Sequence, residues 1–312
     1  MSLQLHSTWN VLDSTKIERY LHSPRSFFYE YVLGWRSEEE NINLVFGKAW
    51  HKGMKILMQS GLTQEAAVAA YPDFLEEYRK SFGPEMDAIY HPKSPGNAEQ
   101  AFLRYVLEYM GRDNFETLHT EVGGTVSIAQ DRVLHFKMDT IVRDHNNGGK
   151  ICSLEHKSAK ANSQPWRDGF KLAFQTGTYN HVQYCMYPEP EVYGTIINGA
   201  VFTKGKGVEF VRIPARRPIE MMDVWLDQAN FFYEEIMRDY DRLADCKEDD
   251  PVMKAFRCRP GGCSKYSTCA YAMLCMSWAN PLQHLDQIPE GFKVEFWDPR
   301  EEELDERVEV GR

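Results

Sequence analysis

Glu155 and Lys157 stand two residues apart in Lys150 to Lys157, a segment whose apolar and polar residues alternate with period two. On a strand this places Ile151, Ser153, Glu155 and Lys157 on one face and Cys152, Leu154 and His156 on the other. A carboxylate and an ammonium then point to the same side. A second period-two stretch, Thr125 to Ile141, puts Val133, His135, Lys137, Asp139 and Ile141 on one face. Between the two lies Asp144-His145-Asn146-Asn147-Gly148-Gly149, a strong turn signal. Folding the strands about Asn147 sets Asp139 opposite Glu155, where Cβ atoms lie ~4.5–5.5 Å apart. Carboxylates that close repel unless a cation lies between them, and a hard divalent ion with oxygen ligands answers that need. The same register opposes Lys137 and Lys157, which disfavours it, and one bulge would change it. The competing account makes Asp139 and Glu155 solvent-facing strand charges paired with neighbouring strands.

A second cluster is made of thiols. Cys152, Cys185 and Cys246 are scattered, as small buried hydrophobes are, but Cys258, Cys263, Cys269 and Cys275 crowd together. Four thiolates suffice for Zn²⁺ or an iron–sulfur cluster. Reduced thiols in a Gly-Pro-rich turn and a short helix are the alternative, and Arg257, Arg259 and Lys265 would then make the loop a phosphate-contacting surface.

The elements that must position these groups follow from pattern. Ser14 to Leu33 predicts helix, turn at Ser23-Pro24, then helix, with Ser14 as cap and Pro24 at the first position of the second piece. Phe46, Trp50, Met54, Leu57 and Met58 predict a helix over 46–58. Residues 64–80 and 98–118 continue helical, separated by the loop at 91–97. A helix is expected at 168–187, strands at 191–203 and 207–213 with a hairpin turn at Lys204-Gly205-Lys206-Gly207, and a helix at 219–245. The fold class is therefore α/β (α+β), a small mixed central sheet flanked by helices with a helical N-terminal elaboration. The organisation expected is a single domain over 1–312, with a helical insertion at 60–120, a Cys-rich segment at 255–280 and an acidic, solvated tail at 298–312.

The order Phe46-Gly47-x3-His51, Asp139, Glu155-His156-Lys157, Gln175-x3-Tyr179 resembles the PD-(D/E)XK nuclease superfamily, specifically its RecB-like branch. The opening is similar too: Ser14-x2-Ile17-x2-Tyr20, then Ser23-Pro24-x2-Phe27-x-Tyr29-x-Tyr31. The likeness runs from about Ser14 to Cys275. It implies a restriction-endonuclease-like core, with Asp139, Glu155 and the His156 backbone carbonyl binding Mg²⁺ or Mn²⁺. His51 becomes a further ligand, and an imidazole favours Mn²⁺ somewhat. Lys157 would orient or help deprotonate the attacking water and offset charge building on the phosphate. Gln175 and Tyr179, one turn apart on one helix face, would steady the site or contact the DNA. Some relatives clamp a 4Fe–4S cluster between one N-terminal and three C-terminal cysteines; here the N-terminal position is Ser23.

Lys plus Arg number 36 against 46 for Asp plus Glu, a net charge of −10, which excludes coating of nucleic acid by bulk charge. Local basic groups remain at Lys204, Lys206, Arg212, Arg216 and Arg217, and at Arg19 and Arg25. Glu121 is an additional acid ahead of the strands that nothing local distinguishes from a surface group. The first residues lack a signal-peptide pattern and no stretch is apolar enough to span a bilayer, so a cytoplasmic location without membrane contact is expected. The function expected is a metal-dependent DNA nuclease, an exonuclease of recombination, repair or phage DNA processing. Its partners are single-stranded DNA or duplex ends and a recombination or helicase partner. Two alternatives stand beside it: a non-catalytic DNA-binding or assembly subunit of nuclease-like fold, and a zinc-stabilised interaction module.

Overall fold

The computed structural model describes residues 3–259, 261–262 and 269–311. In chain order they form α1 (Ser14–His22), α2 (Pro24–Phe27), a π turn (Phe28–Val32), β1 (Trp35–Ser37), α3 (Ile42–Ser60), α4 (Gln64–Arg79) and α5 (Pro95–Tyr109). Next come β2 (Phe115–Ala129), β3 (Arg132–Asp144), β4 (Lys150–Ala159), α6 (Gln164–Gly169), α7 (Phe174–Met186), β5 (Val192–Thr203) and β6 (Gly207–Pro214). The chain ends with α8 (Glu220–Asp245), α9 (Ala272–Ser277), β7 (Phe292–Val294) and β8 (Glu306–Val310). Among the described residues no helix is long and apolar enough to cross a membrane.

The chain divides into two compact units. One comprises Met1–Glu39, Val126–His135 and Asp223–Glu302; the other comprises Glu40–Thr125, Phe136–Met222 and Glu303–Arg312. In the first, Asp13 and not Ser14 caps α1, its carboxylate accepting from the Lys16 N–H at 2.7 Å. The Lys16 ammonium is buried and donates to the carbonyls of Thr8 and Val11 at 3.0 and 2.7 Å. Tyr20, Phe27, Phe28, Tyr240 and Phe256 pack edge-to-face and stacked around α1 and α2.

The second unit holds the sheet that matters for chemistry. Strand order is β6-β5-β4-β3-β2-β8, with β4 parallel to β5 and antiparallel to β3, and β5 antiparallel to β6. This is the mixed central sheet flanked by helices that the sequence predicts. Cys152 and Leu154 face a buried layer made by α3, α4 and α5, where Phe46, Trp50, Met54, Phe74, Phe102 and Phe202 meet. The other face of β4 meets α7 through polar groups. Ser153 Oγ donates to Thr195 Oγ1 at 3.0 Å, and the Gln183 amide donates to Ser153 Oγ at 3.1 Å.

Several expected boundaries shift; the helix expected at 168–187, for one, begins at Phe174 after α6 has ended at Gly169. The helix expected over 98–118 ends at Tyr109, and β2 begins at Phe115, because Gly111 to Asn114 breaks the helix and the residues after it pair as strand. The stretch 125–141 is the end of one strand and most of another, turning at Gln130-Asp131. The acidic end is no solvated tail over its length. Residues 306–310 form the edge strand β8 beside β2, and Gly124 (φ +147°) admits it, since a Cβ there would lie 1.8 Å from the Val308 carbonyl oxygen.

Candidate active site

Every group of the site belongs to the second unit. α3 is fixed in rotation by its apolar stripe. Trp50 stacks on Phe102 with centroids 4.6 Å apart, and Gly53 lets that ring approach, since a Cβ there would sit 2.2 Å from it. With Trp50 turned into the core, the next residue, His51, is carried to the flank of the helix toward β3. The β3–β4 ladder keeps the register read from the sequence, from Asp144↔Lys150 to Thr140↔Leu154. One step further the carboxylate of Asp139 takes the place of a ladder carbonyl. Its Oδ2 accepts from the His156 N–H at 2.7 Å, and its Oδ1 lies 2.9 Å from His51 Nδ1.

Glu155 is 3% exposed and Asp139 7%. Burial, then the charge of Asp139, pushes Glu155 up to about 7, while Lys157 and His51 oppose the rise. Burial would raise Asp139 as well, but the His51 imidazole beside it, together with His156 and Lys157, holds the carboxyl well below its usual range. Burial likewise lowers His51, and Asp139 more than reverses this, so its pKa is raised. The Lys157 ammonium lies 2.6 Å from Glu155 Oε1 and donates to Gln175 Oε1 at 3.1 Å. The Gln175 amide donates in turn to the Tyr179 hydroxyl at 2.9 Å. Asp139, Glu155, Lys157, His51, Gln175 and Tyr179 are thus linked in one place. The expected Lys137–Lys157 clash does not arise, because Lys137 pairs with Glu121 at 2.7 Å and Lys157 with Glu155.

Glu121 proves to be part of this neighbourhood. It is buried at a strained backbone position (φ 44°), and burial followed by Asp139 raises its pKa. The strain and the burial arise from strand packing, so the sequence carried no signal for them. Asn198 and Tyr105, which the sequence reading did not single out, stand behind His156. Its Nδ1 accepts from the Asn198 amide at 2.8 Å, that amide also donates to Tyr105 OH at 2.9 Å, and Arg212 donates to Tyr105 OH and to Asp113 at 2.8 Å each. Burial pushes His156 down to about 3, so it is neutral, and an accepting Nδ1 leaves its proton on Nε2.

The donor set suits a small hard cation: two buried carboxylates, one of them driven toward neutrality by burial and by the other, with an imidazole alongside. Among the described residues no three His, Cys, Asp or Glu side chains converge as a ready-made metal group. Here His51 and the His156 N–H engage the oxygens of Asp139, while Lys157 engages Glu155. The expected thiol site is not supported. Cys263 lies outside the described residues, and Cys258, Cys269 and Cys275 form no metal-holding group. Instead Cys258 and Cys275 hydrogen-bond one another, which lowers the first to about 6 and raises the second. Several expected phosphate contacts are also taken. Arg212 pairs with Asp113, Arg19 with Glu30, and Arg25 is buried against the carbonyl of Phe256.

The family model of the PD-(D/E)XK nuclease superfamily matches residues 14–276. The chain belongs to this superfamily, whose nucleases hydrolyse phosphodiester bonds and generally use divalent metal ions. Among solved structures, one similar chain is a candidate exonuclease from Eubacterium rectale, 14% identical, with a TM-score of 0.43 over 78% of this chain and 88% of that one. Another is SSO0001, 15% identical, with a TM-score of 0.25 over 70% of this chain and 82% of that one. No curated protein sequence matches.

Proposed function

We propose that the protein is a Mg²⁺- or Mn²⁺-dependent deoxyribonuclease of the RecB-like branch, acting as an exonuclease in recombination, repair or phage DNA processing. The observation that carries this reading is the burial of Asp139 and Glu155 together, with the Lys157 ammonium 2.6 Å from Glu155. Asp139, Glu155, the His156 carbonyl and His51 would hold the divalent ion. When bound, such an ion supplies Lewis acidity toward the phosphodiester and toward water.

The chain's own groups do the rest. Lys157 offsets negative charge that builds on the phosphate as water attacks. Gln175 accepts from that ammonium and donates to Tyr179, so its amide cannot flip and Lys157 is held beside Glu155. The His156 N–H fixes one oxygen of Asp139, and the Asn198–Tyr105–Arg212 chain fixes the His156 ring beneath it. Single-stranded DNA or duplex ends are the substrate of this reading, and a recombination or helicase protein its partner. The test is cleavage of end-labelled single- and double-stranded DNA by purified protein across a metal series, with Glu155→Ala and Lys157→Ala alongside. Full activity in either variant, or activity indifferent to chelator, overturns it.

A further inference from the structure

Residues 215–219 join β6 to α8, and three hydrogen bonds fasten their start along α7. The Asn180 amide donates to the Ala215 carbonyl at 2.9 Å, the Arg217 N–H donates to Asn180 Oδ1 at 3.3 Å, and Tyr184 OH donates to the Arg217 carbonyl at 2.9 Å. Held there, the Arg217 side chain runs back along α7 to its start, where Nη2 donates to the carbonyl of the N-cap residue Ala173 at 2.9 Å. A guanidinium stays charged in a protein. This one belongs to a residue only 9% exposed, and among the described residues its buried Nε has no hydrogen-bond partner and no carboxylate pairs with it.

Its position makes matters worse. The start of a helix carries the positive end of the peptide dipole, which repels a cation and attracts an anion. α7 runs for 13 residues, and Ala173 has no side chain that could cap it. A buried, unneutralised cation at the positive end of a long helix is an arrangement that a single anion relieves on every count. The same end of α7 carries Gln175, which is hydrogen-bonded to Lys157 of the site.

We propose that Arg217 and the N-terminal end of α7 form a phosphate-binding site that takes a phosphate group of the polynucleotide near the one being cleaved. This rests on the nuclease reading given above and adds to it a residue that grips the substrate away from the reacting atoms. The phosphate is terminal or internal to the strand, and the two are distinguishable.

The experiment measures binding of a labelled single-stranded oligonucleotide in Ca²⁺ by fluorescence anisotropy, at several salt concentrations. Arg217→Gln should bind about tenfold more weakly, the loss of one charge-assisted contact, with the slope of log affinity against log salt smaller by about 0.7. Arg217→Lys should recover part of the loss. Neutral methylphosphonate linkages placed one at a time, and oligonucleotides with and without a terminal phosphate, locate the contact. Wild-type protein should lose affinity at one position where Arg217→Gln does not. Because the arginine is buried without a counter-charge, Arg217→Gln should melt no lower than wild type, whereas a purely structural arginine would leave a destabilised variant. Wild-type binding with affinity and salt slope unchanged in Arg217→Gln overturns this inference alone. Wild-type protein that binds no oligonucleotide overturns the nuclease reading with it.

Discussion

Lys93 gives the sharpest test of how this fold holds the strand that carries Glu155 and Lys157. The residue is 1% exposed in the loop before α5, and its ammonium donates to Ser158 Oγ at 3.1 Å and to the Ser158 carbonyl at 3.3 Å. It also lies over the Phe46 ring, 5.5 Å from the centroid. Ser158 directly follows Lys157, so this ammonium ties down the end of β4. Burial lowers the Lys93 pKa from its ordinary 10.5 to about 8. At about 1.4 kcal/mol per pH unit, holding the charge in the folded protein costs about 3 kcal/mol at neutral pH. Between pH 8 and 10.5 the unfolded chain binds the proton more tightly than the folded one, so stability rises with pH across that window. Lys93→Met removes the charge and also two hydrogen bonds worth about 1 kcal/mol each. The variant should therefore be more stable than wild type by about 1 kcal/mol at pH 7 and less stable by about 2 kcal/mol once Lys93 is neutral in both states. Urea unfolding followed by tryptophan fluorescence, run on both proteins from pH 7 to 10.5, reads this difference directly. A stability difference that does not move with pH would refute the reasoning, because it would mean that the lysine carries no buried charge.

Other outcomes follow from the same geometry. On the proposed reading, Glu155→Ala and Lys157→Ala should each lower DNA cleavage by about a thousandfold or more with circular dichroism unchanged, since each group would act on the reaction and not on the core. On the same proposed reading, Mn²⁺ should support cleavage at least as well as Mg²⁺, because His51 would add an imidazole to the oxygen donors, while Ca²⁺ should support binding without turnover; end-labelled DNA in a metal series checks both. Gly124→Ala should displace β8, given a Cβ 1.8 Å from the Val308 carbonyl oxygen at φ +147°. A loss of about 2 kcal/mol or more is expected, with faster proteolytic removal of residues 306–310.

The parts of the fold governed by local rules were legible in the sequence. The apolar stripe Phe46, Trp50, Met54, Leu57 and Met58 falls within α3, and each of these residues is buried. The turn at 144–149 set a register that the β3–β4 ladder keeps residue for residue. Where two signals competed, the nearer one misled. Ser14 is a good cap, yet Asp13 one residue earlier caps α1, because its carboxylate also accepts from Trp297 Nε1 at 3.0 Å, a contact that no local window contains. Likewise the acids near the end of the chain suggested a solvated tail. Lys55 pairs with Asp305 at 2.5 Å and Lys52 with Glu303, and these bring the segment alongside β2.

The site divides in the same way. Asp139, Glu155 and Lys157 were readable because strand alternation and one turn suffice to bring them together. Where the ladder ends was not readable, and that ending makes the geometry: beyond Thr140↔Leu154, Asp139 accepts the His156 N–H that a carbonyl on β3 would otherwise have taken. A carboxylate in that role cannot swing to solvent, which is why it stays beside Glu155, whose pKa burial and then the charge of Asp139 push up to about 7. The charge imbalance is therefore built into the backbone of the sheet and does not depend on side-chain freedom. Glu121 and Arg217 were visible only as one acid and one basic group, and their burial was hidden for a related reason. One depends on a strained turn of β2 and the other on a seam along α7, and in both cases the burial that makes the charge notable exists only after distant elements have packed.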